Sequence, residues 1–456
     1  MRAVLRRLFG VGLVVAGTGC ALDNPSGSHV YEPARLEVGP LVLGAWLPAG
    51  MNEFRFGPAE EETLLGLGLN QVEWLQRAEA GGRSAEEILM DFCSRHGWSM
   101  PVYYEPRGYS PYDKLHNWTR QTEVDADFSA KVEGLAAELL TQWDGQAGFG
   151  GYLVGHEDYR ESTYEALGRT LEILRQRDPG RPALTVGHID SYQAVERFLD
   201  TFFVEGGAAN IFQHEHYVFR EGVAGEGRGL QQALDRLAAG YDRLARRLRG
   251  RHGRWHAVVQ VQSEWRQGAG EDGLYYRKPD AVEVRLQAGL ALSRGAAGII
   301  YFLYSSGDEE ALNGEGELIQ RRQYEGLVDR DGQPTALYEG VRDLNADLAR
   351  LGAVLQGLYF YGAFAGEDLR GNPLVQRAED DLEFGLFGGG EGERYLLAVN
   401  RRARQARQAR LSVRARAVSD ALSGEALPVD AGELVVEIGP GDMRLLKLTG
   451  TAPGGG

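Results

Sequence analysis

Eight short apolar runs, each followed by a stretch with the 3.6-residue rhythm of an amphipathic helix, constrain this chain more than any other feature. The runs are Leu41–Leu47, Asn70–Leu75, Ser99–Glu105, Gly151–Glu157, Ala183–His188, Asn210–Tyr217, His256–Trp265 and Gly298–Tyr304. Helical periods fall at Ala59–Leu67, Ser84–His96, Phe128–Trp143, Ser162–Arg177, Ala194–Phe202, Gly229–Arg249 and Ala281–Arg294, with a last one at Thr335–Leu351. Parallel strands cannot be joined by a tight turn, so a strand–helix alternation of this kind predicts a parallel sheet. Eight such units predict an α/β fold closed as a (β/α)8 TIM barrel over residues 36–351. No Gly-x-Gly-x-x-Gly follows the first run, which argues against a nucleotide-binding sheet.

The texture changes after Gly352. Gln376–Phe387, Arg394–Asn400, Ala409–Val418, Leu434–Ile438 and Arg444–Leu448 alternate with period two and are split by Gly, Asp and Ser clusters. They predict a small all-β sandwich over 357–449. Seven arginines stand between Arg401 and Arg416. They read as a site for an anionic glycan or lipid headgroup or, more simply, as a strand edge blunted with charge.

Residues 1–20 carry Arg2, Arg6 and Arg7, an apolar run Leu8–Ala16, and small residues before Cys20. These are the zones of a secretory signal peptide, and the run is too short to span a bilayer. Small residues followed at once by cysteine resemble a bacterial lipobox, although Gly17 stands where Leu is usual. That resemblance implies lipidation of Cys20, a membrane anchor, a tether over 21–35, and a place in the cell envelope (outer membrane, periplasmic side or cell surface). An ordinary signal peptide cleaved near Cys20 is the alternative. The second cysteine, Cys93, reads as a small buried apolar residue. With 65 acidic against 49 basic residues the chain carries −16, which repels phosphate backbones, so nucleic acid is not an expected partner. Oligomeric state leaves no mark in the sequence.

In a (β/α)8 barrel the reacting groups stand at the C-terminal ends of the strands. Strand four ends His156-Glu157-Asp158, and strand seven ends Gln262-Ser263-Glu264-Trp265. Strands four and seven face each other across the mouth, where two carboxyls can bracket one bond. At about 5–5.5 Å apart one attacks while the other protonates; at about 6.5–9.5 Å a water fits between them and the outcome inverts. On strand seven Gln260, Gln262 and Glu264 share one face and Val259 and Val261 the other, so a polar barrel interior is expected. Trp46, Trp74, Tyr104, Trp265, Tyr301 and Tyr304 offer faces for sugar rings. His156, His188, His214 and His216, with Glu73, Glu105 and Asp190, offer partners for hydroxyls. The long loop Arg107–Asp125 is expected to be functional.

These strand-end glutamates resemble those of clan A glycoside hydrolases, the "4/7" superfamily, and within it the beta-galactosidase-like, family 42-type branch. The resemblance is carried by Gly44-Ala45-Trp46, Gly68-Leu69-Asn70, Gly151–Asp158, Arg177-Asp178-Pro179, Arg181-Pro182-Ala183, Gly295–Tyr304 and Leu327-Val328-Asp329 with Asp331–Thr335. It implies a retaining hydrolase with a carbohydrate substrate, Glu157 as acid/base and Glu264 as nucleophile, and no cofactor. The chain departs from the family at His156, where Asn is usual, and at Asp158-Tyr159, where one variant carries Pro. Asp158 therefore stays open as the acid/base, and a catalytically inactive, surface-tethered glycan-binding protein stays open as the function. His214-Glu215-His216 invites a metal, but the metal-dependent hydrolase barrels it would resemble place such a pair on strand one, so none is expected. Lys114, Lys131, Lys278 and Lys447 fall outside the strands, and Gly-x-Ser-x-Gly is absent, which argues against Schiff-base and serine chemistry.

Overall fold

The computed structural model describes residues 36–37, 41–47, 56–73, 79–80, 82–102, 123–157, 159–268, 272–312, 318–370, 372–389 and 393–450. Eight parallel strands form one sheet: β1 (Val42–Trp46), β2 (Gln71–Glu73), β3 (Met100–Val102), β4 (Phe149–His156), β5 (Ala183–Gly187), β6 (Asn210–Glu215), β7 (Gly253–Gln260) and β8 (Gly298–Phe302). They run in the order β2-β1-β8-β7-β6-β5-β4-β3, and a parallel bridge from Gln71 to Ser99 joins the two ends into a barrel. Around it lie α1 (Pro58–Gly66), α2 (Ala85–His96), α3 (Ala126–Trp143), α4 (Tyr164–Arg177), α5 (Val195–Phe202), α6 (Gly227–Leu248), α7 (Ala281–Leu292) and α8 (Ala336–Leu355). Local chemistry sets where several of these helices begin. Ser84 and Asp280 each accept the third helical N–H while Glu87 and Glu283 reach back to the cap, and Asp125 caps α3. Gly97 ends α2 in the left-handed region that glycine enters without strain.

The C-terminal module is a sandwich of a seven-stranded and a four-stranded antiparallel sheet. Phe364, Leu382, Phe384, Leu396, Leu411, Leu434, Val436 and Leu446 fill its own core. Its edge includes Leu36–Glu37, which pairs with Tyr359–Ala365, so the chain enters through the sandwich before it builds the barrel. Gln376–Phe387, read as one strand, divides into Val375–Arg377 and Leu382–Gly388, which lie in different sheets; Tyr359–Ala365 is a strand that the sequence reading missed.

The arginine run lies along the junction of sandwich and barrel. Arg401 bonds Glu383 at 2.6 Å and Asp235 of α6 at 3.1 Å, and Arg404 bonds Asp280 at 2.5 Å and Glu283 at 3.3 Å. Arg402 and Arg407 both hold Asp381. An anion site is therefore not what these four form; the expectation of a charged edge fits Arg410, Arg414 and Arg416, which are exposed.

The strand expected over His256–Trp265 is broken. β7 ends at Gln260, and Ser263–Gly268 starts a separate four-stranded antiparallel sheet with Gly273–Tyr276, Leu318–Glu325 and Gly307–Leu312. This sheet rises from the ends of β7 and β8, above the barrel. Two of its strands are charged rather than apolar: Glu309 lies opposite Arg322 and Glu310 opposite Arg321. Cross-strand ion pairs stand in for the apolar pattern that would have announced them.

Candidate active site

Strand alternation decides which side chains reach the barrel lumen. On β6, Gln213 donates from Nε2 to Glu73 Oε1 at 2.7 Å, spanning from strand six to strand two, and Gln71 donates to the same oxygen. Gln213 therefore points inward, and Glu215, two residues on, shares its face. His214 and His216 point the other way, toward α6. Burial pushes the Glu73 carboxyl up to about 7, against the two amides that favour its ionised form. Glu73 Oε2, Gln213 Oε1 and both polar atoms of Gln262 are buried without a hydrogen-bond partner, so the lumen has polar capacity left to offer.

Glu157 follows β4 directly. Its N–H donates to Val186 O at 2.8 Å, and its φ of 55° is in the left-handed region, which costs a non-glycine residue about 1–2 kcal/mol. Tyr159 holds the side chain, donating from its hydroxyl to Glu157 Oε1 at 3.2 Å. Glu157's carboxyl also lies within hydrogen-bonding reach of Glu215's. Burial first, and the charge of Glu157 second, raise Glu215 well above the usual carboxylate range, so it stays protonated at neutral pH. Tyr217 donates to Glu215 Oε1 at 3.4 Å.

Glu264 sits on the antiparallel sheet above the barrel, 4% exposed, with Tyr276 and Tyr324 opposite it on the neighbouring strands. Arg266 donates from Nε to Oε1 at 2.6 Å, and Arg322 stands 4.0 Å from the same oxygen. Burial raises the Glu264 carboxyl, and the two arginines oppose that rise. Arg266 lies 3.3 Å over the Tyr275 ring. Tyr217 links the two sides of the mouth: its ring lies 5.7 Å from Tyr276 and 5.6 Å from Phe302, and it feels the charges of Glu215 and Glu157. Trp46 at the end of β1 meets His156 at the end of β4, with ring centroids 5.9 Å apart.

Of the expected site residues, Glu157, Glu264, Trp46 and His156 stand at this mouth. Tyr301 does not: it is fully buried and donates to Asn345 Oδ1 of α8 at 2.6 Å, outside the barrel wall. Tyr304 is buried beside Tyr338 of α8 and Glu60 of α1. Trp265 adjoins Glu264 on a strand and so faces away from it, 52% exposed. His188, His214 and His216 gather on the outer side of β5 and β6, with ring centroids 4.8–5.9 Å apart. Trp74, Tyr104, Glu105, Asp158, Cys20 and residues 107–122 lie outside the described residues. The sequence reading missed Glu215, Tyr159, Tyr217, Tyr276 and Tyr324. For Glu215 the signal was present, since an inward Gln213 on strand six implies an inward Glu215.

No known family's sequence profile matches this chain, and no curated protein sequence matches it. Solved structures do resemble it. A catalytic mutant of a GH42 beta-galactosidase from G. stearothermophilus superposes with a TM-score of 0.56 at 7% identity, covering 92% of this chain and 99% of the other. A GH27 β-L-arabinopyranosidase from Geobacillus stearothermophilus gives 0.51 at 14% identity, covering 92% and 98%. At such identities the likeness is one of fold: a TIM barrel followed by a β-sandwich, the architecture of these glycoside hydrolases.

Proposed function

We propose that this protein is a retaining glycoside hydrolase that cleaves O-glycosidic bonds of an oligo- or polysaccharide by double displacement. The observation that carries this reading is the convergence of Glu157, Glu215 and Glu264 on one tyrosine-walled mouth at the C-terminal ends of the strands. Glu157 and Glu215 touch each other, and a retaining pair needs a gap of about 5–5.5 Å, so these two do not bracket the bond. Glu264 is the nucleophile: it attacks the anomeric carbon, with Arg266 and Arg322 offsetting the cost of its buried charge. Glu157 protonates the leaving oxygen and later takes the proton of the incoming water. Glu215 keeps a proton beside it until the leaving group needs one. Unpartnered Gln262 is placed to meet sugar hydroxyls, and Trp46 supplies an apolar face. At its N-terminus the chain is held in the cell envelope by lipid on Cys20, and Cys20→Ala releases it into the soluble fraction.

The test is a panel of aryl glycosides with the anomer of the first product read by NMR. Retention in the wild type, and turnover in Glu264→Gln reduced by about 10³-fold or more, are expected. An inverted product, or unchanged turnover in that variant, overturns the assignment. A second reading, a glycan-binding barrel without catalysis, draws support from Arg266, which occupies one oxygen of Glu264 at 2.6 Å, and from His156 in place of Asn. It predicts a wild type inert on every glycoside yet retained on glycan affinity gels.

A further inference from the structure

On the outer side of the barrel wall, remote from the lumen face that carries Glu215, three imidazoles from two strand ends converge. His188 follows β5; His214 and His216 flank Glu215 but point away from it. One nitrogen from each ring lies within 4.8 Å of the others. His214 Nε2 and His216 Nδ1 are buried and make no hydrogen bond. Two bare ring nitrogens in a protein interior are costly unless something accepts their lone pairs. Both are aimed at Gly240 of α6, where a β-carbon would stand 2.5 Å from His216 Nδ1 and 3.8 Å from His214 Nε2. Glycine at that position keeps open a space that alanine would fill.

The other nitrogen of His214 has the support that a metal ligand needs. Nδ1 lies 3.4 Å from Gly187 O and 3.4 Å from Ile189 N. With Nδ1 protonated it donates to the Gly187 carbonyl, and the lone pair is then left on Nε2, facing the other two rings. Burial keeps all three imidazoles neutral, the form that coordinates. The charged groups around them are Arg243, Arg236 and Arg247 of α6 and Asp190, which binds Arg243 at 2.7 Å and so offsets the nearest positive charge.

We propose that His188, His214 and His216 bind one divalent transition-metal ion, with Zn²⁺ as the natural occupant and an open fourth position for water. Ring nitrogens suit zinc at about 2.0–2.1 Å, which places tetrahedral ligand nitrogens about 3.3–3.4 Å apart. Side-chain rotation of the two half-buried rings, His188 and His216, closes the gap from the present spacing. The ion ties the end of β5 to the end of β6. It touches no group assigned to the hydrolytic reaction, so its presence is independent of that assignment.

The experiment uses the tag-free full chain, stripped with a chelator and titrated with Co²⁺, whose tetrahedral complexes absorb in the visible. One equivalent of Co²⁺ is expected to give that spectrum, Zn²⁺ to displace it, and Zn²⁺ to raise Tm of the stripped protein. His188→Gln, His216→Gln and Gly240→Ala should each weaken binding at least about 10-fold, while His252→Gln at the exposed end of α6 leaves it unchanged. Wild-type protein that takes up no stoichiometric Co²⁺ or Zn²⁺ overturns the proposal, whatever the variants do. So does binding of equal strength in folded His188→Gln and His216→Gln.

Discussion

The barrel mouth and the barrel–sandwich seam both bury glutamates, and they treat them in opposite ways. At the seam, Glu383 is 1% exposed and accepts from Arg294 and Arg401, each at 2.6 Å. Arg294 in turn bonds Asp242 of α6 at 3.0 Å, so a buried chain of alternating charge crosses from barrel to sandwich. Glu283 likewise accepts two bonds from Arg277 at 2.8 and 2.9 Å and one from Arg404. In the lumen and at its rim, Glu73 has only amides for partners, and Glu215 has a tyrosine and another carboxyl. A carboxylate matched with arginines is fixed in its charge and serves packing. One buried without a cation has a raised pKa and can move a proton, which is what catalysis requires.

The comparison breaks most visibly at the mouth. Substituting Glu157 by Gln removes the proton donor and should lower kcat/KM by about 10²–10⁴-fold on glycosides with poor leaving groups, and much less on those with good ones. Thermal stability should scarcely change, because the Glu157 side chain is exposed. Equal losses on both kinds of substrate would remove Glu157 from the acid role and return Asp158 to it.

The reciprocal substitution belongs to the seam. Glu383→Ala leaves Arg294 and Arg401 facing each other without their anion, and loss of one partner from a buried ion pair costs about 3–5 kcal/mol. Urea denaturation should register that loss while kcat/KM of the folded fraction stays as in the wild type. A variant of unchanged stability would mean that the seam charges do not work as a network.

Glu73 lies between these extremes, and pH separates it from the seam residues. Its folded pKa is about 7 against an ordinary 4.5, so the fold favours the protonated form. That contribution is fully present below pH 4.5 and is lost as pH rises through 7. Above that, wild type carries a penalty of up to about 3 kcal/mol that Glu73→Gln, which keeps a group for Gln71 and Gln213 to bond, does not. Stability of the variant relative to wild type should therefore rise between pH 5 and pH 8; a flat difference would mean that Glu73 ionises normally.

The same contrast explains what the sequence disclosed. The barrel was legible because its strands are buried apolar runs between amphipathic helices, and Glu157 and Glu264 because they lie where such strands end. The sheet carrying Glu264 was not legible, since Glu309, Glu310, Arg321 and Arg322 pair across strands in place of apolar residues. Glu215 was hidden by its neighbours: His-Glu-His draws attention to the histidines, whereas the alternation that turns Glu215 inward needs Gln213 to be placed first. On β8 the difficulty was of another kind. Gly298–Tyr301 is buried on both faces, so no contrast of polar and apolar residues tells which side of the strand meets the lumen.

Tyr301 carries the smallest expected effect and the sharpest test of that last point. Its hydroxyl donates to Asn345 Oδ1, and Asn345 Nδ2 donates to Leu67 O at 2.9 Å, so the ring ties β8 to α8 and to the end of α1. Tyr301→Phe preserves the ring and removes one buried donor, leaving Asn345 Oδ1 without its partner. A cost of about 1 kcal/mol in stability follows, readable as a lower urea midpoint, with kcat/KM unaltered. Were the ring a sugar platform in the mouth, as its place at a strand end suggested, the hydroxyl would be accessible and its loss would raise KM while leaving the urea midpoint where it was.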